Sequence, residues 1–135
     1  MPAHTPVNPE GTVAPFGPYS NGLIAAPGRL MALAGQGGVK PDGQLVGPGA
    51  REQTEQIFEN FKTILAAAGG SLSDIIQLTI YTRSAEDYAD INAARKAYLT
   101  PPYPTSATVT DIGFLTPGML VEISALAVLR DIALE

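Results

Sequence analysis

The segment from about Arg51 to Ala68 repeats its apolar residues with the period of an α-helix. Apolar side chains recur at positions i, i+4, i+7, i+8 and i+11, so they form one stripe, and the charged residues lie elsewhere. Gly69 and Gly70 follow and end the pattern. The sequence therefore predicts a first helix with an apolar face made of Ile57, Phe61, Ile64, Leu65 and Ala68.

A second helix is predicted between Ser84 and the prolines that follow residue 100. Ser84 with Asp87 three residues later is a capping-box signature for the start of this helix. A proline disfavours helical geometry in the residue before it, so the helix is expected to end before Pro101. One side of this helix carries Tyr88, Ile91, Arg95 and Tyr98.

The remaining apolar segments have the patterns of strands. Two short runs, 23–26 and 30–34, are separated by Pro27-Gly28 and predict a β-hairpin. Apolar and polar residues alternate over 76–81, and two further strands are predicted over about 105–112 and 120–129. The order β-β-α-β-α-β-β predicts an α+β fold in one domain over residues 1–135, with both helices on one face of one sheet. Residues 1–16, rich in Pro and Gly, are expected to form an irregular arm.

The uncovered face of such a sheet needs a second layer, and a chain of 135 residues has little left to supply it. We therefore expect an oligomer. The net charge of −5 disfavours nucleic acid as a partner, because phosphate binding relies on Lys and Arg. Apolar runs are too short to span a membrane and a secretory signal is absent, so we expect a soluble cytoplasmic protein.

Composition also restricts the chemistry. The chain has no cysteine, and its one histidine, His4, lies in the arm, where we expect it to be loosely held. A histidine triad or a multi-histidine metal site cannot be built within one chain, and we expect no metal and no cofactor. The Gly-rich segment 35–38 lacks the Gly-Lys-Ser/Thr of a phosphate-binding loop.

Glu122 is the anomaly of the last strand, since a carboxylate interrupts an otherwise apolar segment. It is either an interface or solvent-exposed glutamate or a general acid or base. The preceding strand presents Ser106, Thr108 and Thr110 on one face, which would line the same surface as Glu122 if the two strands pair. Asn92 could either cap a loop or contact a ligand. Tyr19 could be either a packing anchor or a ligand contact.

Seven short motifs, spread from about residue 15 to residue 129, resemble the successive signatures of the Rid (reactive intermediate deaminase, YjgF-type) family. They are Gly17-Pro18-Tyr19-Ser20, Ala34-Gly35-Gln36, Ala67-Ala68-Gly69, Asp74-Ile75-Ile76, Ile91-Asn92, Tyr103-Pro104 and the segment 121–127. The resemblance implies a chorismate-mutase-like fold and a homotrimer with clefts between subunits. It also implies cofactor-independent hydrolysis of reactive enamines and imines to ketoacids and ammonia.

The resemblance also implies roles for individual residues. Tyr19 matches the family's loop tyrosine, Asn92 its helix asparagine, and Gly35 a strand-end glycine whose backbone lines the cleft. Glu122 matches the glutamate that positions the hydrolytic water. Ser106 stands where deaminating members have an arginine that binds the substrate carboxylate, and a serine donates only one neutral hydrogen bond.

The sequence therefore predicts a Rid-like hydrolase of an imine, enamine or related C–N compound that lacks the usual carboxylate anchor. Glu122 would activate water, and Tyr19, Gly35, Asn92, Ser106 and Thr108 would bind the substrate. Arg29, Arg83 or Arg95 could supply the missing charge from another direction. The alternatives are a non-catalytic trimer that binds a small metabolite or a partner protein and, disfavoured by the acidic composition, an endoribonuclease.

Overall fold

A computed structural model describes residues 2–130. These residues form six strands and two α-helices, with a 3₁₀ turn before β4 and another before α2. In chain order the elements are β1 (Thr5–Val7), β2 (Gly22–Ile24), β3 (Gly28–Gly37), α1 (Ala50–Ala67), β4 (Ile75–Thr82), α2 (Tyr88–Tyr98), β5 (Thr105–Val109) and β6 (Val121–Arg130). Residues 131–135 and Met1, which the single-domain prediction includes, lie outside the described residues.

The main sheet has four strands in the order β3-β6-β4-β5. Strand β6 runs antiparallel to both β3 and β4, while β4 and β5 are parallel. Both helices pack on one face, where α1 buries Ile57, Phe58 and Phe61 and α2 buries Ile91. The prediction of an α+β fold with one main sheet and both helices on one face is confirmed.

Alternation along β6 separates the two faces of the sheet. Val121, Ile123 and Ala127 are buried beneath the helices, whereas Glu122 and Ser124 point to the opposite face and are partly exposed. We call this opposite side the free face. It also carries Ala32, Gln77, Thr79 and Leu126, which line a shallow depression.

The predicted hairpin between residues 23–26 and 30–34 is wrong. Strand β2 pairs with β1, and β3 pairs with β6 instead. Pro27 has no N–H group to donate across a hairpin, and the Ala26 N–H is used by the His4 ring, whose Nδ1 accepts it at 2.9 Å. At the start of β3, Gly28 approaches β6 so closely that a Cβ would overlap the Leu129 carbonyl.

The N-terminal arm is more ordered than the sequence predicts. It contains β1, and His4 is buried rather than loosely held, with 3% of its surface exposed. Burial, together with the nearby positive charge of Arg130, lowers the pKa of His4, so the ring is neutral at pH 7. The neutral Nδ1 is what accepts the Ala26 N–H, and this contact anchors the arm to the start of β3.

Within residues 2–130, no helix has both the length and the apolar character required to cross a bilayer.

Candidate functional site

The loop before β2 is held in place by the segment that precedes β5. The Ser20 N–H donates to the Pro104 carbonyl at 3.1 Å, and the Ser20 hydroxyl donates to the Tyr103 carbonyl at 2.6 Å. Tyr19 therefore has a defined place beside β5, and its ring meets that of Phe16 edge to face at 5.6 Å. Two motifs far apart in sequence form one local structure.

Beside this loop lies an open groove of ≈ 460 Å³ on the helix side of the sheet edge. Five hydroxyl side chains and two apolar side chains line it: Tyr19, Tyr88, Ser106, Thr108 and Thr110 with Phe16 and Ala85. We call it the hydroxyl groove. Its volume falls within the usual range of small-molecule sites. Every polar side chain in its lining can donate a hydrogen bond.

Arg95 lies directly behind this groove and is completely buried, with 0% of its surface exposed. Its Nη2 donates to the Ser106 hydroxyl at 2.9 Å and to the Pro18 carbonyl at 3.3 Å. Its Nη1 donates to Asn92 Oδ1 at 2.8 Å. The guanidinium therefore joins α2 to β5 and to the Tyr19 loop. Asn92 contacts Arg95 from the same helix and supports the groove from behind.

The partners of Arg95 are all neutral. Among residues 2–130 the guanidinium forms no ion pair, and its buried Nε has no hydrogen-bond partner. Burial lowers the pKa of Arg95, and the nearby phenols of Tyr88 and Tyr19 partly offset this effect. An arginine retains its proton under such conditions, so an uncompensated positive charge lies behind Ser106.

A second groove, of ≈ 480 Å³, contains Glu122 and Gly35. The loop 112–115 forms one wall, and Tyr81 and Ser124 form part of the floor. We call it the glutamate groove. A Cβ at position 35 would lie 2.7 Å from Glu122 Oε2, so the carboxylate packs directly against the glycine backbone. Within the described residues Glu122 forms no ion pair.

The two grooves lie on opposite faces of the sheet. Ser106 is opposite Leu78 and Thr108 is opposite Ile80, so both share the helix side with these buried residues. Glu122 is opposite Tyr81, on the free face. The expectation that the β5 hydroxyls would line the same surface as Glu122 is wrong, because β5 pairs with β4 and not with β6.

The structure thus gathers the candidate residues into two separate groups within one chain. Tyr19, Asn92, Ser106 and Thr108 belong to the hydroxyl groove, and Gly35 and Glu122 belong to the glutamate groove. The linings of these two grooves share no residue.

Of the three arginines considered as a substitute cation, only Arg95 reaches Ser106. Arg83 is exposed and pairs with Asp87 at 3.6 Å, and Arg29 is exposed on β3. The sequence carried a signal for Arg95, because a charged residue interrupts the inward stripe of the second helix. Tyr88, on that same stripe, was not identified as a candidate site residue.

No three His, Cys, Asp or Glu side chains gather in a metal-binding cluster within residues 2–130. The two grooves are instead lined by hydroxyl, phenol and carboxylate groups, which bind small organic molecules by hydrogen bonding.

The fold and these grooves define a small α+β domain with candidate ligand sites on both faces of its sheet. The family model described as Endoribonuclease L-PSP matches residues 10–129. The chain belongs to this family, which is the Rid (YjgF-type) family.

Individual relatives agree with this assignment. A RutC family protein of Pyrococcus horikoshii is 36% identical over 119 residues, covering 87% of this chain and 92% of that protein. A 2-iminobutanoate/2-iminopropanoate deaminase of Dermatophagoides farinae is 32% identical over 128 residues, covering 93% of this chain and 94% of that protein. The crystal structure of YyfB of Yersinia pestis, a Rid family protein of unknown function, has a TM-score of 0.82 at 28% identity. The match covers 93% of this chain and 98% of that one.

Proposed function

We propose that this protein is a Rid-like hydrolase that cleaves the C–N bond of an imine, an enamine or a related compound. The active site would form between two subunits of a trimer, with the hydroxyl groove of one chain facing the glutamate groove of its neighbour. The observation that carries this proposal is the placement of the candidate residues on opposite faces of the sheet. A relative of 32% identity is named as an imine deaminase, which supports the reaction class.

Glu122 would act as the general base in this reaction. Its carboxylate takes a proton from water as the oxygen attacks the carbon of the C=N bond. It then returns the proton to the nitrogen, a second proton passes through the carboxylate from the new hydroxyl group to the nitrogen, and the tetrahedral intermediate collapses to a carbonyl compound and ammonia. One water is consumed and one C–N double bond is replaced by a C=O bond, so no redox partner is needed.

The other candidate residues would bind the substrate. Tyr19, Ser106 and Thr108 present donors in the hydroxyl groove, Asn92 supports them from α2, and the Gly35 backbone lies beside the carboxylate. Ser106 cannot form the two-bond fork that an arginine offers a carboxylate. We therefore expect the substrate to lack the usual carboxylate anchor.

Two other functions are alternatives to this hydrolase. The family model's description names an endoribonuclease, but a net charge of −5 opposes the phosphate contacts on which RNA binding depends. A non-catalytic trimer that binds a metabolite or a partner protein would keep the grooves and lack turnover.

The test is a steady-state assay with imines and enamines generated in situ, some with a 2-carboxylate and some without. We expect turnover, and we expect Glu122→Gln to lower it by at least about a hundredfold, since general bases contribute on this scale. Glu55→Gln, at a partly exposed position on α1 that pairs with Arg51, is the matched control and should keep wild-type rates.

Full activity of Glu122→Gln on a substrate that the wild type turns over would remove the proposed mechanism. Absence of turnover across the panel by a well-folded oligomer would favour the binding protein instead. Light scattering measures the oligomeric state. A monomer at assay concentration would rule out a site between subunits.

A further inference from the structure

His4 holds the N-terminal arm through a contact that only a neutral imidazole ring can make. Its Nδ1 accepts the Ala26 N–H at 2.9 Å, so this nitrogen carries no proton while the arm is attached. Protonation would turn Nδ1 into a donor, and two donors would then face each other at the same distance. The atom that anchors the arm is therefore also the atom that takes up the proton.

The surroundings of the ring oppose a positive charge. His4 is buried, and within residues 2–130 its Nε2 makes no hydrogen bond that would stabilise a charged ring. Two charged side chains face the ring, Arg130 from the end of β6 and Asp74 from the turn before β4. Arg29, the charged residue of β3 that is nearest to Ala26 in the chain, is exposed.

Asp74 could balance a charge on His4, but both of its oxygens are already engaged. Oδ1 accepts from Arg130 Nε at 2.7 Å, and Oδ2 accepts the Ser71 N–H at 2.8 Å. Arg130 also donates to the Pro2 carbonyl of the arm at 3.2 Å. A charged ring would compete with Arg130 for this carboxylate and weaken the second hold on the arm. Burial and Arg130 together lower the pKa of His4 more than Asp74 raises it.

The arm continues through β1 to the rim of the hydroxyl groove. Asn8 Oδ1 accepts the Asn21 N–H at 2.7 Å, and the Asn21 side-chain amide donates to the Val13 carbonyl at 2.8 Å. Asn21 lies two residues after Tyr19, and Phe16 at the end of the arm contacts the Tyr19 ring. Release of the arm would therefore remove the support on one side of the segment that carries Tyr19.

We propose that His4 is a proton-operated latch: when its ring is protonated, the arm leaves the start of β3 and the segment that carries Tyr19 is loosened. Because the pKa of the ring is lower in the attached arm than in a released one, release takes up a proton. Attachment is complete above about pH 6.5, the ordinary pKa of histidine, and weakens as the pH falls below it. As a regulation of catalysis, this inference rests on the proposed hydrolase.

Amide hydrogen exchange tests the latch on the assembled protein without a histidine tag, between about pH 5.5 and 8, above the ordinary titration of carboxylates. The exchange rate of the Ala26 N–H, divided by its intrinsic rate, gives the equilibrium constant for release of the arm. We expect this constant to be level above about pH 6.5 and to rise below it, by at most about tenfold per pH unit because one proton is bound.

Three further signals should agree with this curve. The release constant should level off at the midpoint of the His4 ring, which NMR reads directly because the chain contains one histidine. The Asn21 N–H, held by Asn8, should follow the same curve as Ala26. The Lys40 N–H donates to the Gln44 carbonyl in the loop between β3 and α1, and its opening should not change with pH.

His4→Gln is the matched variant, because its amide oxygen can accept the Ala26 N–H and does not titrate. It should give a release constant that stays level over the whole range. His4→Phe keeps a ring but has no acceptor. Its release constant should also be level and should exceed that of the wild type at pH 8 by about tenfold, the scale of one buried hydrogen bond.

A level release constant in the wild type, or the same rise in His4→Gln, would overturn the latch, and so would a ring midpoint at about pH 6.5. A rise at Ala26 without one at Asn21 would overturn the link to the Tyr19 segment. If His4→Gln does not fold, the wild-type curve and the ring midpoint decide. Exchange does not depend on turnover, so a pH-dependent arm without turnover would refute the hydrolase and leave the latch standing. Turnover with a level release constant would do the reverse.

Discussion

At the residue scale, the position of the Glu122 carboxylate requires a glycine at position 35. A Cβ there would lie 2.7 Å from Oε2 and 3.0 Å from Cδ of Glu122, closer than such contacts occur. In Gly35→Ala the carboxylate would have to swing away from the backbone. We expect the variant to fold and to lose at least about tenfold in turnover, because a base must stay within hydrogen-bond reach of its water. A steady-state assay together with a thermal melt measures both properties.

Gly22→Ala is the control for this substitution. Its Cβ would meet Val7 at 3.5 Å, an ordinary contact, and no residue of β2 lines either groove. It should retain wild-type turnover. Wild-type turnover in Gly35→Ala as well would mean that the position of the Glu122 carboxylate is not tied to this contact.

At the element scale, Gln53 connects α1 to the start of β6, the strand that carries Glu122. Its side chain is completely buried. Its Nε2 donates to the Gly47 carbonyl at 2.8 Å and to the Gly118 carbonyl at 3.0 Å. Its Oε1 accepts the Leu120 N–H at 2.8 Å. One amide thus satisfies three backbone groups from two loops.

Gln53→Leu would keep the volume of the side chain and leave these three backbone groups without a partner. We expect the free energy of unfolding to fall by about 2–4 kcal/mol, since each buried unsatisfied group costs on the order of 1–3 kcal/mol and part of the cost is relieved by relaxation. Urea unfolding at a fixed protein concentration measures the change, because assembly also contributes to stability.

Gln56→Leu on the same helix is the matched control. Gln56 is only half-buried and makes one hydrogen bond, to Asn60 at 2.9 Å, so its loss should cost no more than about 0.5 kcal/mol. Equal destabilisation by the two substitutions would show that the backbone contacts of Gln53 contribute nothing specific.

At the scale of the whole molecule, two grooves on opposite faces predict complementation between subunits. Glu122→Gln disables the glutamate groove, and Thr108→Trp fills the hydroxyl groove with an indole. Each variant alone should be inactive. Co-assembled in equal amounts, they should recover about a quarter of wild-type activity, because a random ring pairs the two intact grooves at that frequency.

The control for complementation mixes Glu122→Gln with Gly35→Ala. Both changes fall in the glutamate groove, so no pair of subunits restores an intact one, and activity should stay at the level of the separate variants. Failure of the Glu122→Gln and Thr108→Trp mixture to recover, although mixed assemblies are demonstrated by mass spectrometry, would place the active site within one chain.

Sequence alone was sufficient to predict features that depend on neighbours within a turn of helix or a few residues of strand. The stripe of α1, the alternation of β4 and β6 and the anomaly of Glu122 are of this kind, because burial on one face imposes a period on the residues. The motifs that resemble the Rid family also indicated the α+β fold, since they follow one another in the family's order along nearly the whole chain.

Tertiary structure decided the features that depend on which elements become neighbours. The sequence could not show that β2 pairs with β1, because strand pairing follows contacts distant in the chain, here the His4 contact with Ala26. Nor could it show that β4 separates β5 from β6, which puts Ser106 and Glu122 on opposite faces. Arg95 was visible only as a charge in a helix stripe. Its guanidinium meets Ser106 because the packing of α2 against β5 closes an 11-residue separation in sequence to a 2.9 Å hydrogen bond.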